Sequence, residues 1–131
     1  MAPRRLFLDA NVLFSAAWRE DAGVARLWEL ADATLLTSGY AWEEARRNLE
    51  TEEQERRLTR LADGLEVVAE AGDLLLPEDV DLPEKDRPIL RAALASDATH
   101  LVTGDLTHFG PYFGREIAGV RVVRPADLLR G

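Results

Sequence analysis

The chain has 131 residues, 47% hydrophobic and 31% charged, a composition that fits a folded soluble domain and excludes a disordered or membrane-spanning chain. It contains no cysteine, so disulfides, thiolate zinc sites and cysteine nucleophiles are excluded together. A formal charge of -8 excludes a broad basic face for nucleic acid but not a nuclease whose acids surround cations, and 15 of the 16 basic residues are arginine, Lys85 being the exception.

In chain order, residues 5–9 form a short apolar strand that ends on Asp9. Asn11 to Trp18 has helical spacing, with Val12, Leu13, Ala16 and Ala17 apolar. A second helix is predicted from about Asp21 to Ala31, with Val24, Leu27, Trp28 and Ala31 on one face. Thr34 to Thr37 reads as a strand, and Ser38 as the N-cap of a helix carrying Tyr40 to Ala45. Glu43 to Arg60 is dense in Glu and Arg, with Glu43/Arg47, Glu52/Arg56 and Glu53/Arg57 four residues apart, the pattern of a solvated helical face or hairpin.

A third strand is expected at Leu65 to Ala69, followed by an acidic loop from Glu70 to Asp86 with Pro77 and Pro83. Lys85 to Ala98 reads as a helix with Pro88 in its first turn. A strand leads to Asp105, a segment with Gly110, Pro111 and Gly114 turns, and Val120 to Val123 makes a last strand. Alternating strands and helices predict an α/β fold, a three-layer α/β/α sandwich around a mainly parallel sheet of four to five strands. One domain over 1–131 is expected, in the cytoplasm, with no leader read at Pro3-Arg4-Arg5 and no membrane segment.

Asp9 and Asp105 each follow an apolar strand, and each has two readings. Either could cap the next helix. As a pair at the carboxyl edge of one sheet, where open α/β sheets bind ligands, they instead suggest a hard divalent cation. Glu44 lies six residues beyond Ser38, where it competes with Glu43. Asp86 stands at a helix start, where an acid suits the dipole, and Glu84 flanks it.

Leu6-Phe7-Leu8-Asp9-Ala10-Asn11-Val12-Leu13, Thr37-Ser38 with Glu44, Asp86 leading a helix, and Leu101-Val102-Thr103-Gly104-Asp105 with His108-Phe109 are in order over nearly the whole chain. In these motifs the chain resembles the PIN-domain family of small metal-dependent nucleases, which includes toxins of many toxin–antitoxin pairs. The resemblance implies that Asp9, Glu44, Asp86 and Asp105 bind Mg²⁺ or Mn²⁺ and carry the catalysis, with Asn11 and Thr103 orienting carboxylates or water. It also implies an RNA substrate, a cognate antitoxin and a homodimer. Arg87 and Arg91 are candidates for substrate contact, or for pairing with the acidic loop; His108 is a third candidate, or polar surface. Two other readings stay open: a receiver-like phosphoacceptor module, and a PIN-like fold that only binds partners. Val24 to Trp28 and Leu58 to Leu61 serve either the core or a partner surface.

Overall fold

A computed structural model describes residues 3–130. Its sheet has six strands in the order β3-β2-β1-β4-β6-β5. These are β1 (Arg4–Leu8), β2 (Ala33–Ser38), β3 (Leu65–Val68), β4 (His100–Val102), β5 (Glu116–Ile117) and β6 (Val120–Val123). All neighbouring pairs are parallel except β5 with β6. The two-residue β5 is a sixth strand beyond the four to five expected; two residues are too few to show periodicity. It forms because Ala118 and Gly119 both take positive φ and turn the chain back onto β6.

β1 is central, and its Leu6, Phe7 and Leu8 are fully buried, which explains a continuous apolar run in place of alternation. The helices are α1 (Ala10–Trp18), α2 (Gly39–Asn48), α3 (Glu52–Leu61), α4 (Arg87–Ala95), α5 (Leu106–Phe109) and α6 (Pro125–Leu129). α1 packs on α2 and α3, whereas α4 packs on β2 and β4. From β1 the chain steps outward to β2 and β3, then returns past β1 to β4. Right-handed crossovers in opposite directions place the connecting helices on opposite faces of the sheet. The reversal leaves a crevice between the carboxyl ends of β1 and β4.

Several local expectations change. The segment predicted as a helix from Asp21 to Ala31 is a 3-10 run, Gly23–Glu29, with no side-chain cap at its start. Its Leu27 is buried in the core, as is Leu58, while Val24, Trp28 and Leu61 pack against it, so both apolar stretches serve the core. The Glu/Arg-rich stretch divides at Leu49 into two helices. Thr51 begins the second with a capping box: its hydroxyl accepts from Gln54 N at 3.1 Å, and Gln54 Oε1 accepts from Thr51 N at 3.0 Å.

Only one of the three anticipated i,i+4 pairs forms, Glu52 with Arg56 at 3.8 Å. Glu43 turns to Arg46, and Arg57 donates to the Ala17 and Trp18 carbonyls at 3.1 and 3.3 Å, which ties α3 to the end of α1. The predicted 85–98 helix starts as a 3-10 turn, Glu84–Asp86, and its α-helical part ends at Ala95, just before Asp97 takes a φ of 57°. Ser38 does cap α2, accepting from Ala41 N at 3.2 Å.

Candidate metal centre

Asp9 leaves β1 directly, and its backbone N donates to Val102 O at 3.0 Å, which locks it against the end of β4. Its carboxylate is buried at 4% exposure. Oδ1 accepts from Ala10 N at 2.7 Å, so the capping reading of Asp9 holds. Oδ2 accepts from Thr103 Oγ1 at 2.8 Å and Asn11 Nδ2 at 3.1 Å. Thr103 Oγ1 also accepts from Asp105 N at 3.1 Å, and Asn11 Oδ1 from Gly104 N at 2.8 Å. Asn11 and Thr103 therefore couple the two strand ends and hold the Asp9 carboxylate in place.

Asp105 is the N-cap of α5: Oδ1 accepts from His108 N at 3.0 Å, and Oδ2 faces His108 Nδ1 at 2.8 Å. Asp86 behaves differently. It occupies the N-cap position of α4 yet makes no capping hydrogen bond, which corrects the capping reading of this residue. Its side chain turns inward, where Oδ2 is buried and without a hydrogen-bond partner. His108 Nδ1 lies 2.9 Å from that oxygen and 2.8 Å from Asp105 Oδ2, so one ring nitrogen, with at most one hydrogen to give, faces two carboxylates. A buried carboxylate oxygen with no assigned donor is costly, and a cation beside it would offset that cost.

Asp9, Glu44, Asp86 and Asp105 together line a cleft of about 500 Å³. Among the described residues, Asp86, Asp105 and His108 form a group whose ligand atoms all lie within 4.8 Å of one another. Asp9 and Glu44 border the cleft without joining that group. The two adjacent glutamates separate clearly, because Glu43 pairs with Arg46, which holds its carboxyl below the usual range, while Glu44 borders the cleft. Glu84 is exposed, so Asp86 is the inward acid of that pair.

Arg87 and Arg91 do not line the cleft. Their Nε atoms donate to the Leu82 and Leu74 carbonyls at 3.1 and 2.9 Å, bracing the acidic loop through its backbone rather than its carboxylates. Lys85 is the basic residue that does border the cleft, and Phe14 and Trp18, with ring centroids 5.1 Å apart, line another part of its wall. None of these three was singled out from sequence as a site residue. Lys85 is adjacent to Asp86, and Phe14 and Trp18 follow Asn11 at helical spacing, so the signal lay in their neighbours.

Burial pushes the Asp9 carboxyl from the ordinary 3.8 to about 6, opposed by its bonds from Thr103 and Ala10 and aided by the Asp86 and Asp105 charges. Burial, with the charges of Asp105 and Glu44, also raises Asp86, against the pull of His108 and Lys85. The folded protein thus holds a proton on Asp9 at a pH where the unfolded chain has lost it. Without divalent cations, stability is expected to be highest below about pH 4 as far as Asp9 is concerned, and to fall by up to roughly 3 kcal/mol as pH rises through 6. Melting temperatures in chelator across this range check it; a rise in stability over the same window contradicts it. The oxygen donors and the unpartnered Asp86 Oδ2 fit a hard divalent cation.

The fold has solved counterparts. VapBC2 from Rickettsia felis, in a crystal structure bound to a DNA fragment from the promoter, matches with a TM-score of 0.66 at 19% identity, over 92% of this chain and 98% of that one. VapBC-1 from nontypeable Haemophilus influenzae matches with a TM-score of 0.58 at 15% identity, over 93% of this chain and 98% of that one. At such identities the likeness shows the fold alone. No curated protein sequence matches the chain. A family model described as PIN domain matches residues 5–107, from β1 through Asp105, and it replaces the receiver-like reading. The chain belongs to the PIN-domain family.

Proposed function

We propose that this protein is a divalent-metal-dependent endoribonuclease that hydrolyses RNA phosphodiester bonds and acts as the toxin of a toxin–antitoxin pair. The observation that carries this reading is the convergence of Asp86 and Asp105, with a buried unpartnered oxygen on Asp86, beside the buried Asp9. Mg²⁺ or Mn²⁺ held there supplies charge neutralisation for the phosphodiester and activation of water. Asp86 and Asp105 offer oxygens to the cation, and Asp9 completes the site in the orientation that Thr103 and Asn11 impose. Glu44 closes the α2 side of the cleft and orients water. Lys85 meets a phosphate as a flexible point charge, the role first considered for Arg87 and Arg91.

The paired glutamates provide an internal control. Glu44→Gln is expected to lower metal-dependent RNA cleavage by 10-fold or more, on the order of the effect of residues that orient metal ligands, whereas Glu43→Gln leaves it unchanged. Equal effects of the two substitutions count against Glu44 as a site residue.

The toxin role is supported by the shared fold with VapBC chains. Induced expression should arrest growth, and co-expression of the product of a small neighbouring reading frame should relieve the arrest. The protein acts as a cytoplasmic homodimer of one domain per chain; light scattering that gives only a 14.6 kDa species across concentrations contradicts the dimer. Among the described residues no helix is long and apolar enough to cross a membrane.

A further inference from the structure

His108 stands outside the four-acid set, yet its imidazole sits between two of the acids. Nδ1 lies 2.8 Å from Asp105 Oδ2 and 2.9 Å from Asp86 Oδ2. Adjacent ligand atoms on an octahedron with bonds of about 2.1 Å are roughly 3.0 Å apart. The nitrogen is therefore spaced from each carboxylate oxygen as one ligand of a single cation is spaced from the next. Asp86 Oδ2 is a second pointer: the atom is buried, and beyond the His108 Nδ1 contact it has no hydrogen-bond partner.

The local fold prepares this arrangement. Asp105 Oδ1 accepts from His108 N, which leaves Oδ2 on the imidazole side. The next residue, Phe109, is fully buried and anchors the four-residue α5 in the core. Carboxylate and imidazole are thus presented from one turn, facing the acid at the start of α4.

The geometry points to His108 Nδ1 as a direct metal ligand, making a mixed site of one imidazole nitrogen and the Asp86 and Asp105 carboxylates that favours a d-block divalent ion such as Mn²⁺ over Mg²⁺. The inference rests on the metal-dependent reading above and adds the donor that sets selectivity. Mg²⁺ favours oxygen donors and keeps its waters, whereas imidazole favours the d-block divalent ions. In the ligating form the lone pair of Nδ1 faces the cation and the ring hydrogen resides on Nε2.

Pulsed electron paramagnetic resonance of the Mn²⁺-loaded full chain tests this directly, because a coordinated imidazole nitrogen couples to the electron spin. The chain has two histidines, and His100 lies at the start of β4, away from Asp105. Nitrogen coupling of imidazole type is expected in the wild type and absent in His108→Gln. The substitution is also expected to weaken Mn²⁺ binding about 10-fold or more by calorimetry, with a much smaller change for Mg²⁺. The side chain is 28% exposed, and an unchanged circular dichroism spectrum would show that the variant folds. Mn²⁺ bound without nitrogen coupling overturns the ligand assignment and leaves the carboxylate site standing. Failure to bind either ion overturns the assignment and the metal-dependent reading together.

Discussion

Asp9→Asn and Asp105→Asn are each expected to lower Mg²⁺- or Mn²⁺-dependent RNA cleavage by at least about 100-fold, the upper range for residues that merely support metal ligands, with the fold intact. The two substitutions reach this result by different routes. Asn caps helices as well as Asp does, so Asp105→Asn keeps the bond from His108 N that starts α5 while removing the anionic oxygen that faces the imidazole.

At Asp9 the carboxylate is buried and its proton affinity raised, so a neutral amide relieves an electrostatic cost at neutral pH. Against this, an amide NH₂ at the Oδ2 position would face the Asn11 amide and the Thr103 hydroxyl, both of which now donate to that oxygen. The two effects are each of order 1–3 kcal/mol and opposite in sign, so a melting temperature near that of the wild type is expected. The stability of Asp9→Asn in chelator should also vary less between pH 4 and 6. Undiminished cleavage by both variants sinks the assignment of these carboxylates.

Phe109→Ala is expected to cost about 3–5 kcal/mol, the range for emptying a fully buried aromatic site, and to lower the melting temperature by roughly 10 °C or more. Its consequence for function follows from position. Phe109 ends the single turn that begins at Asp105 and carries His108, so the same cavity loosens two of the three grouped donors. Mn²⁺ should then raise the melting temperature of the variant by less than it raises that of the wild type. A variant that melts as the wild type does, or gains as much from Mn²⁺, contradicts the anchoring role. Comparison with His108→Gln separates loss of a donor from loss of its support.

The strands were legible because their signal is local. β1, β2, β4 and β6 are short apolar or β-branched runs that end at polar or turn residues, and a buried parallel strand needs little more than that. Ser38 and Pro88 marked helix starts for equally local reasons, a side-chain acceptor and a fixed φ. The 3-10 run at Gly23–Glu29 was not legible: its apolar spacing imitates an α-helix, and it packs between α1 and α6, which no spacing within the run records. β5 was missed because two residues pair only once the positive-φ turn brings them to β6.

Sequence alone placed Asp9 and Asp105 at strand ends and Asp86 at a helix start, features readable one element at a time, and the resemblance to the PIN-domain family added Glu44 to them. Tertiary structure decided between neighbours that sequence treats alike. Glu44 borders the cleft and Glu43 meets Arg46 because successive residues of α2 point about 100° apart. Asp86 leaves its capping position unused because the fold turns its oxygen towards Asp105 and His108. Arg87 and Arg91 brace the acidic loop because its Leu82 and Leu74 carbonyls come within reach of their guanidinium groups. Direction of a side chain, and what meets it from distant parts of the chain, is set by packing across the sheet, and no spacing within a single segment records it.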